Sequence, residues 1–150
     1  ARSFNGVEHR NEFVREKDGV KYYNDSIASS PTRTIAGLKV FDKNVILLAG
    51  GYDKHIPFEP MAPYIIDKVK LLLLTGPTAD AIEKAVVECD GYNGSPEIIK
   101  LPDIAHAVEV AHSRAVAGDV VTLSPACASF DAFPNFAARG IYFKELVNKL

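Results

Sequence analysis

Cysteine is scarce in this chain of 150 residues: there are two, Cys89 and Cys127, in unrelated contexts and without metal-ligand spacing. That usage excludes a disulfide scaffold and a cysteine-based zinc site, and it suits a reducing cytoplasm. Charge of one sign is missing too. Lys and Arg total 17 against 19 Asp and Glu, for a net charge of -2, and no dense basic stripe tracks a phosphate backbone, so no nucleic acid partner is expected. Long hydrophobic runs are absent as well. Apolar residues make up 47% of the chain, yet the run from Val69 to Leu74 is broken by Lys70 and falls far short of the roughly 20 residues of a bilayer span. No signal peptide or amphipathic anchor stands out, so no membrane partner is expected. Also lacking are G-x-x-x-x-G-K-[ST] and G-x-G-x-x-G, so any nucleotide chemistry must be completed elsewhere. The expectation is a soluble cytoplasmic monomer whose length fits one ordinary domain.

What is present is a repeating alternation. The runs Val45 to Ala49, Lys70 to Leu74, Glu97 to Leu101 and Asp119 to Leu123 are β-branched or Leu-rich, with apolar residues in succession rather than in alternation, which suits strands buried on both faces. Between them, 60–67, 77–89 and 103–116 carry helical spacing, the last with Ile104, Val108, Ala111 and Ala115 on one face. Pro31 and Pro77 sit where a first helical turn begins, and Ser30 is positioned to cap a helix running to Phe41. The pattern predicts an α/β fold, Rossmann-like and doubly wound, with a mostly parallel sheet. Near the N-terminus, Glu12 to Glu16 and Val20 to Tyr23 flank Lys17-Asp18-Gly19, a hairpin signal that predicts antiparallel strands at one edge. The first few residues read as a linker remnant, and no boundary is expected between Val7 and Leu150.

In an open parallel sheet the ligand site lies beyond the carboxyl ends of the strands. After the Val45 strand comes Gly50-Gly51-Tyr52-Asp53-Lys54, where two glycines permit close backbone approach and Lys54 offers a charge suited to an anion. After the Asp119 strand comes Ser124 to Ser129, then Phe130 and Asp131, and Pro134-Asn135-Phe136 leads into the last helix. Hydroxyls and amides at that entry suit a carboxylate. Each piece alone has a plainer explanation as a turn, a solvated lysine or a cap. Cys127 has no neighbouring His to make it a nucleophile, so it reads as a small packed thiol. His106 and His112 stand six apart, off the three or four spacing of a helical metal pair.

Taken together, His9-Arg10-Asn11-Glu12, Tyr23-Asn24-Asp25-Ser26, Gly50-Gly51-Tyr52-Asp53-Lys54 and the stretch from Leu123 through Ser129 and Phe136 to Gly140 resemble, in order, the signatures of the D-glutamate-adding Mur ligases, over the third domain of that family. The Ser-Pro-Ala-Cys-Ala-Ser run is the selective part, because His-Arg-x-Glu and Asn-Asp-Ser recur across the wider superfamily that includes folylpolyglutamate synthases. The Asp-Asn-Pro-Arg motif typical of diaminopimelate- or lysine-adding relatives does not occur.

The resemblance implies a C-terminal domain, residues 1–150, that works with an N-terminal UDP-muramoyl-binding domain and a central ATPase domain outside this chain. The implied reaction joins D-glutamate to UDP-N-acetylmuramoyl-L-alanine through an acyl phosphate made with ATP and Mg2+, both bound mainly by the central domain. It implies that Arg10 lies near phosphate and Asp25 near ribose, with His9 supporting that side. Lys54, Ser29, Ser129 and the backbone at Phe136 would hold the two carboxylates of D-glutamate and leave its amine free. One departure stands out. Where many members carry Lys after Asn-Asp-Ser and a Thr two residues later, this chain has Ile27 and Ser29, so a cation is lost and a hydroxyl kept. Another ligase of the superfamily, or a non-catalytic dicarboxylate-binding module, remains the alternative.

Overall fold

The run Val45 to Ala49 forms a strand because every side chain along it has an apolar layer to enter. The computed structural model describes residues 7–150. Its strands β1 (Glu12–Lys17), β2 (Val20–Asn24), β3 (Val45–Ala49), β4 (Val69–Leu74), β5 (Glu97–Lys100) and β6 (Val120–Leu123) form one sheet in the order β1-β2-β6-β3-β4-β5. Five helices cover it: α1 (Pro31–Leu38), α2 (Ala62–Lys68) after a 3₁₀ turn at Glu59–Met61, α3 (Ala79–Val87), α4 (Ile104–Arg114) and α5 (Phe136–Asn148). Along β3, Val45, Leu47 and Ala49 enter a core with Leu38, Ile65, Ile82 and Val86 from α1 to α3. Ile46 and Leu48 enter a second core with Val108, Ala111, Phe143 and Val147 from α4 and α5. Burial on both faces contributes about 1.5–3 kcal/mol for each Val, Leu or Ile. A strand so placed has no reason to alternate.

The expected doubly wound, mostly parallel α/β sheet is what forms, with the N-terminal hairpin at one edge. The hairpin turns at Asp18 and Gly19, both at positive φ (55° and 79°), and pairs β1 with β2 antiparallel. Only β1 is an antiparallel edge strand, because β2 runs parallel to β6, with Tyr22 opposite Val121. Val20 and Tyr22 are buried in the second core, so β2 is an interior strand and belongs to the parallel set.

Helix ends also depart from expectation where side chains have other work. Ser30 takes an extended conformation at the start of α1, yet its hydroxyl makes no capping bond, and the helix stops at Leu38 rather than Phe41. α3 begins at Ala79, two residues after Pro77, with Thr78 at its cap position. The Thr78 hydroxyl instead accepts from Gly51 N–H at 3.0 Å. Asp103 and Asn135 do cap, accepting from the N–H groups of His106 and Ala138. Ala115 lies just past the end of α4.

The chain leaves β3 to one side for β4 and β5 and returns to the other side as β6. The carboxyl ends of β3 and β6 are therefore neighbours, at the switch point where doubly wound sheets open a ligand crevice. Two backbone bonds knit the loops that emerge there, Gly50 N–H to Pro125 O and Tyr52 N–H to Ala128 O, each 2.9 Å. Gly51 sits at φ 155°, where a Cβ would come within 2.7 Å of Ala128 O. Only glycine lets the two loops run this close.

Candidate functional site

Beyond that switch point lies a pocket of about 190 Å³ lined by Ser29, Lys54, Ala128, Ser129, Phe130, Asn135 and Phe136. The structure thus gathers Ser29, Lys54, Ser129 and Phe136, from segments up to 107 residues apart in sequence. Lys54 is exposed, and among the described residues its ammonium makes no hydrogen bond or ion pair. Its acidic neighbour Asp53 is engaged with His55 instead, accepting that residue's N–H at 2.7 Å. Ser129 is buried, and its carbonyl accepts from Ala132 and Phe133 N–H at 3.0 and 2.8 Å, which fixes where its hydroxyl stands. Phe136 opens α5, and its carbonyl is already taken by the Ser26 hydroxyl at 2.7 Å. What the backbone at Phe136 can offer a ligand is therefore its N–H, one of the unclaimed donors of a first helical turn. A free ammonium at one side, and hydroxyls with a helix N-terminus at the other, form a chemistry for carboxylates.

A second pocket, about 360 Å³, is lined by Arg10, Asn11, Asp25, Ile27, Arg33, Ala36 and Gly37. Here the structure brings together Arg10 and Asp25. Asp25 is buried, its Oδ1 accepting Asn11 N–H at 3.0 Å and its Oδ2 the Ser124 hydroxyl at 2.7 Å. Burial raises its carboxyl from 3.8 to about 6, against the opposing pull of the Ser124 and Asn11 hydrogen bonds and of Arg10 and Arg33. Both guanidiniums are on exposed residues, and neither makes a hydrogen bond or ion pair among the described residues.

His9 lines neither pocket. It is buried, and its Nδ1 accepts from Asn24 Nδ2 at 2.8 Å, which places the ring proton on Nε2. Burial lowers its pKa below the ordinary 6.5, so the ring is neutral and acts as a strut. Glu12 Oε1 accepts from both His9 N–H and Asn24 Nδ2, each at 3.1 Å. The His-Arg-x-Glu and Asn-Asp-Ser motifs are thus one hydrogen-bonded unit, which presents Arg10 and Asp25 side by side.

Arg139 then joins the two pockets. Its side chain is fully buried, donating Nε to Ser26 Oγ (2.9 Å), Nη2 to Ser26 O (2.8 Å) and Nη1 to Cys127 O (2.9 Å). Burial lowers its pKa to about 10, so it remains charged at neutral pH, with no carboxylate in hydrogen-bond contact among the described residues. The segment after β2, which supplies Asp25 to one pocket and Ser29 to the other, is in this way bolted to the loop after β6. Sequence reasoning overlooked this role, as it overlooked Arg33. The available signals were an arginine amid the small residues Ala137, Ala138 and Gly140, and a cation on an otherwise short apolar helix.

Other groups are set aside on chemical grounds. Glu8, His9 and Glu12 present oxygen and nitrogen atoms close enough to share a metal, but Lys144 Nζ already bridges the two carboxylates at 3.0 and 3.1 Å. A resident cation thus fills the place a divalent ion would take, and the cluster does not fit Mg2+. Cys127 is buried, and desolvation pushes its thiol up to about 11, so it is a packed thiol and no nucleophile. A third cavity of about 280 Å³, lined in part by Gly50, Gly51, Asp131, Arg139 and Tyr142, lies on the other side of the Gly50-Gly51 turn and contains none of His9, Arg10, Asp25, Ser29, Lys54, Ser129 and Phe136. No helix among the described residues is long and apolar enough to cross a membrane.

Comparison with known proteins follows the same lines. Residues 9–127 match the model of the family described as Mur ligase, glutamate ligase domain. A UDP-N-acetylmuramoylalanine--D-glutamate ligase of Clostridium acetobutylicum is 59% identical over 152 aligned residues, covering 100% of this chain and 33% of that protein. The chain therefore spans about a third of the length of the curated relatives it matches. Among solved structures, a murein peptide ligase of Psychrobacter arcticus superposes with a TM-score of 0.61 at 15% identity, over 97% of this chain and 31% of that one. A folylpolyglutamate synthase of Mycobacterium tuberculosis, solved with ADP and AMPPCP, gives 0.61 at 18% identity, over 91% and 32%. At such identities these two likenesses speak for the fold alone.

Proposed function

This chain belongs to the Mur ligase, glutamate ligase domain, family, and on that premise we propose that it is the C-terminal, amino-acid-binding domain of a ligase joining D-glutamate to UDP-N-acetylmuramoyl-L-alanine in peptidoglycan precursor synthesis. Residues 1–150 form that domain, and the UDP-muramoyl-binding and ATPase domains belong to the rest of a monomeric cytoplasmic protein. The observation that carries the reading is the convergence of Ser29, Lys54, Ser129 and Phe136 on one pocket, with an ammonium that is unpaired among the described residues. D-glutamate has two carboxylates. The Lys54 ammonium pairs with one, while Ser29, Ser129 and the Phe136 N–H hold the other, so the amine is aimed at the acyl phosphate with little freedom to wander.

ATP approaches from the other side. Arg10 faces its phosphates and Asp25 accepts from its ribose, while the phosphate cradle comes from the central domain. Mg2+ supplies charge neutralisation on the phosphoryl groups and is held there too, since the one ligand cluster among the described residues is closed by Lys144. The names of the relatives favour this reading over a folylpolyglutamate synthase, whose likeness is one of fold.

The test is a pair of substrate titrations on the full-length ligase. A hydrogen bond to a charged group is worth about 1.5–3 kcal/mol, so Lys54→Ala raises the D-glutamate KM roughly 10- to 100-fold and leaves that for ATP unchanged. Ser129→Ala acts in the same direction but less, because neighbouring amides still serve the carboxylate. An unaltered D-glutamate KM and kcat/KM in Lys54→Ala would mean a merely solvated lysine and the wrong pocket.

A further inference from the structure

Arg33 belongs to none of the motifs that point to the site, yet the fold carries it there. The buried side of α1 is formed by Pro31, Thr34, Gly37 and Leu38. Arg33 and Ala36, one turn apart, lie on the side that lines the 360 Å³ pocket. Across it stands Arg10, held in the turn where His9 and Asn11 both take positive φ (67° and 43°). Two guanidiniums thus border one pocket, both on exposed residues, and among the described residues neither has a hydrogen-bonded or ionic partner. The one acid lining the pocket, Asp25, already accepts from Asn11 and Ser124. Like charges at one cavity repel until an anion enters between them, and a single carboxylate leaves an excess of positive charge. Ala36 and Gly37 add almost no bulk on the Arg33 side, which keeps the pocket open to a ligand.

Guanidinium forks match oxyanions bidentately, and two of them suit a chain that carries more than one. We propose that Arg33 acts with Arg10 as a two-arginine clamp on the phosphoryl chain of the nucleoside polyphosphate, making Arg33 a substrate-binding residue of the ligase. Asn11 Oδ1, buried and without a hydrogen-bond partner among the described residues, adds an acceptor beside the clamp for a ligand hydroxyl. The inference rests on the reading of this pocket as the nucleotide-facing side.

The experiment uses the full-length ligase with Arg33→Ala, Arg33→Lys and Arg10→Ala, measuring KM for ATP and for D-glutamate and the inhibition constants of ADP and adenosine. Arg33→Ala raises the ATP KM and the ADP inhibition constant by about 10- to 100-fold, while adenosine and D-glutamate change by less than roughly twofold. Arg33→Lys keeps the charge without the fork and falls between Ala and wild type. Because Arg33 is exposed and makes no hydrogen bond or ion pair among the described residues, its variants melt close to wild type. The clamp is overturned if Arg33→Ala leaves ATP and ADP untouched while Arg10→Ala weakens both, which spares the nucleotide reading. It is overturned as well if adenosine weakens as much as ADP, since the contact then lies away from phosphate. If neither arginine affects ATP, the nucleotide reading itself falls and takes the clamp with it.

Discussion

Asp25 is a buried carboxylate in ordinary hydrogen-bonding company, and replacing it by Asn changes its charge with little change in shape. Burial raises its pKa from 3.8 to about 6. A group raised on folding holds its proton more tightly in the native state, so its stabilising contribution is complete below the unfolded value. It is lost as pH rises through the folded one. The gap of about two units, at about 1.4 kcal/mol each, means that ionised Asp25 costs the fold roughly 3 kcal/mol at neutral pH. Asn does not titrate and fits the same contacts. Its Oδ1 keeps the Asn11 N–H, and its Nδ2 donates to Ser124 Oγ, whose hydroxyl turns to Thr34 Oγ1, already 3.3 Å away. Urea unfolding of the chain from about pH 4 to about pH 8 reads the effect. Relative to wild type, Asp25→Asn gains roughly 3 kcal/mol between about pH 4 and pH 7, with no further gain above. A stability difference that stays flat across the range refutes the reasoning, since Asp25 would then titrate like an exposed carboxylate.

The remaining predictions concern the framework behind the pockets. Arg139→Ala strands the carbonyls of Ser26 and Cys127, and should destabilise by at least about 3 kcal/mol, or roughly 6–12 °C in Tm for a domain of this size. Arg139→Lys does not restore it, as one ammonium cannot span acceptors set for a planar fork; a melting temperature near wild type for either variant would remove Arg139 from its bridging role. In thiol labelling near neutral pH, Cys89, which is partly exposed, reacts promptly, whereas Cys127 stays protected until the chain unfolds because its thiol is pushed up to about 11. Equal labelling rates for the two cysteines would contradict the burial of Cys127.

The strand content was legible in the sequence, because a strand buried on both faces must be apolar at every position, and β3 meets that condition in both cores. The residues proposed to hold carboxylates could be singled out in the sequence too, since Lys54 and Ser129 follow strands whose carboxyl ends must share one edge. Their convergence on one pocket depended on β6 returning beside β3. Pattern along the chain says nothing of strand order, so the interior position of β2 emerged only from its pairing with β6. The silent hydroxyl of Ser30 and the diverted one of Thr78 belong to the same class, as a capping residue obeys whichever acceptor or donor the fold brings nearer.

Arg33 and Arg139 mark the limit most clearly. One is an exposed cation on a short helix and the other a buried cation in a longer one, and periodicity treats both as ordinary helical positions. The sequence by itself determined that a cation would be missing at Ile27. Only the tertiary structure put Arg33 beside Ile27 on the same pocket and sank Arg139 between the two loops. A charge acts through space, and neighbours in space are settled by the packing of helices on the sheet rather than by distance along the chain.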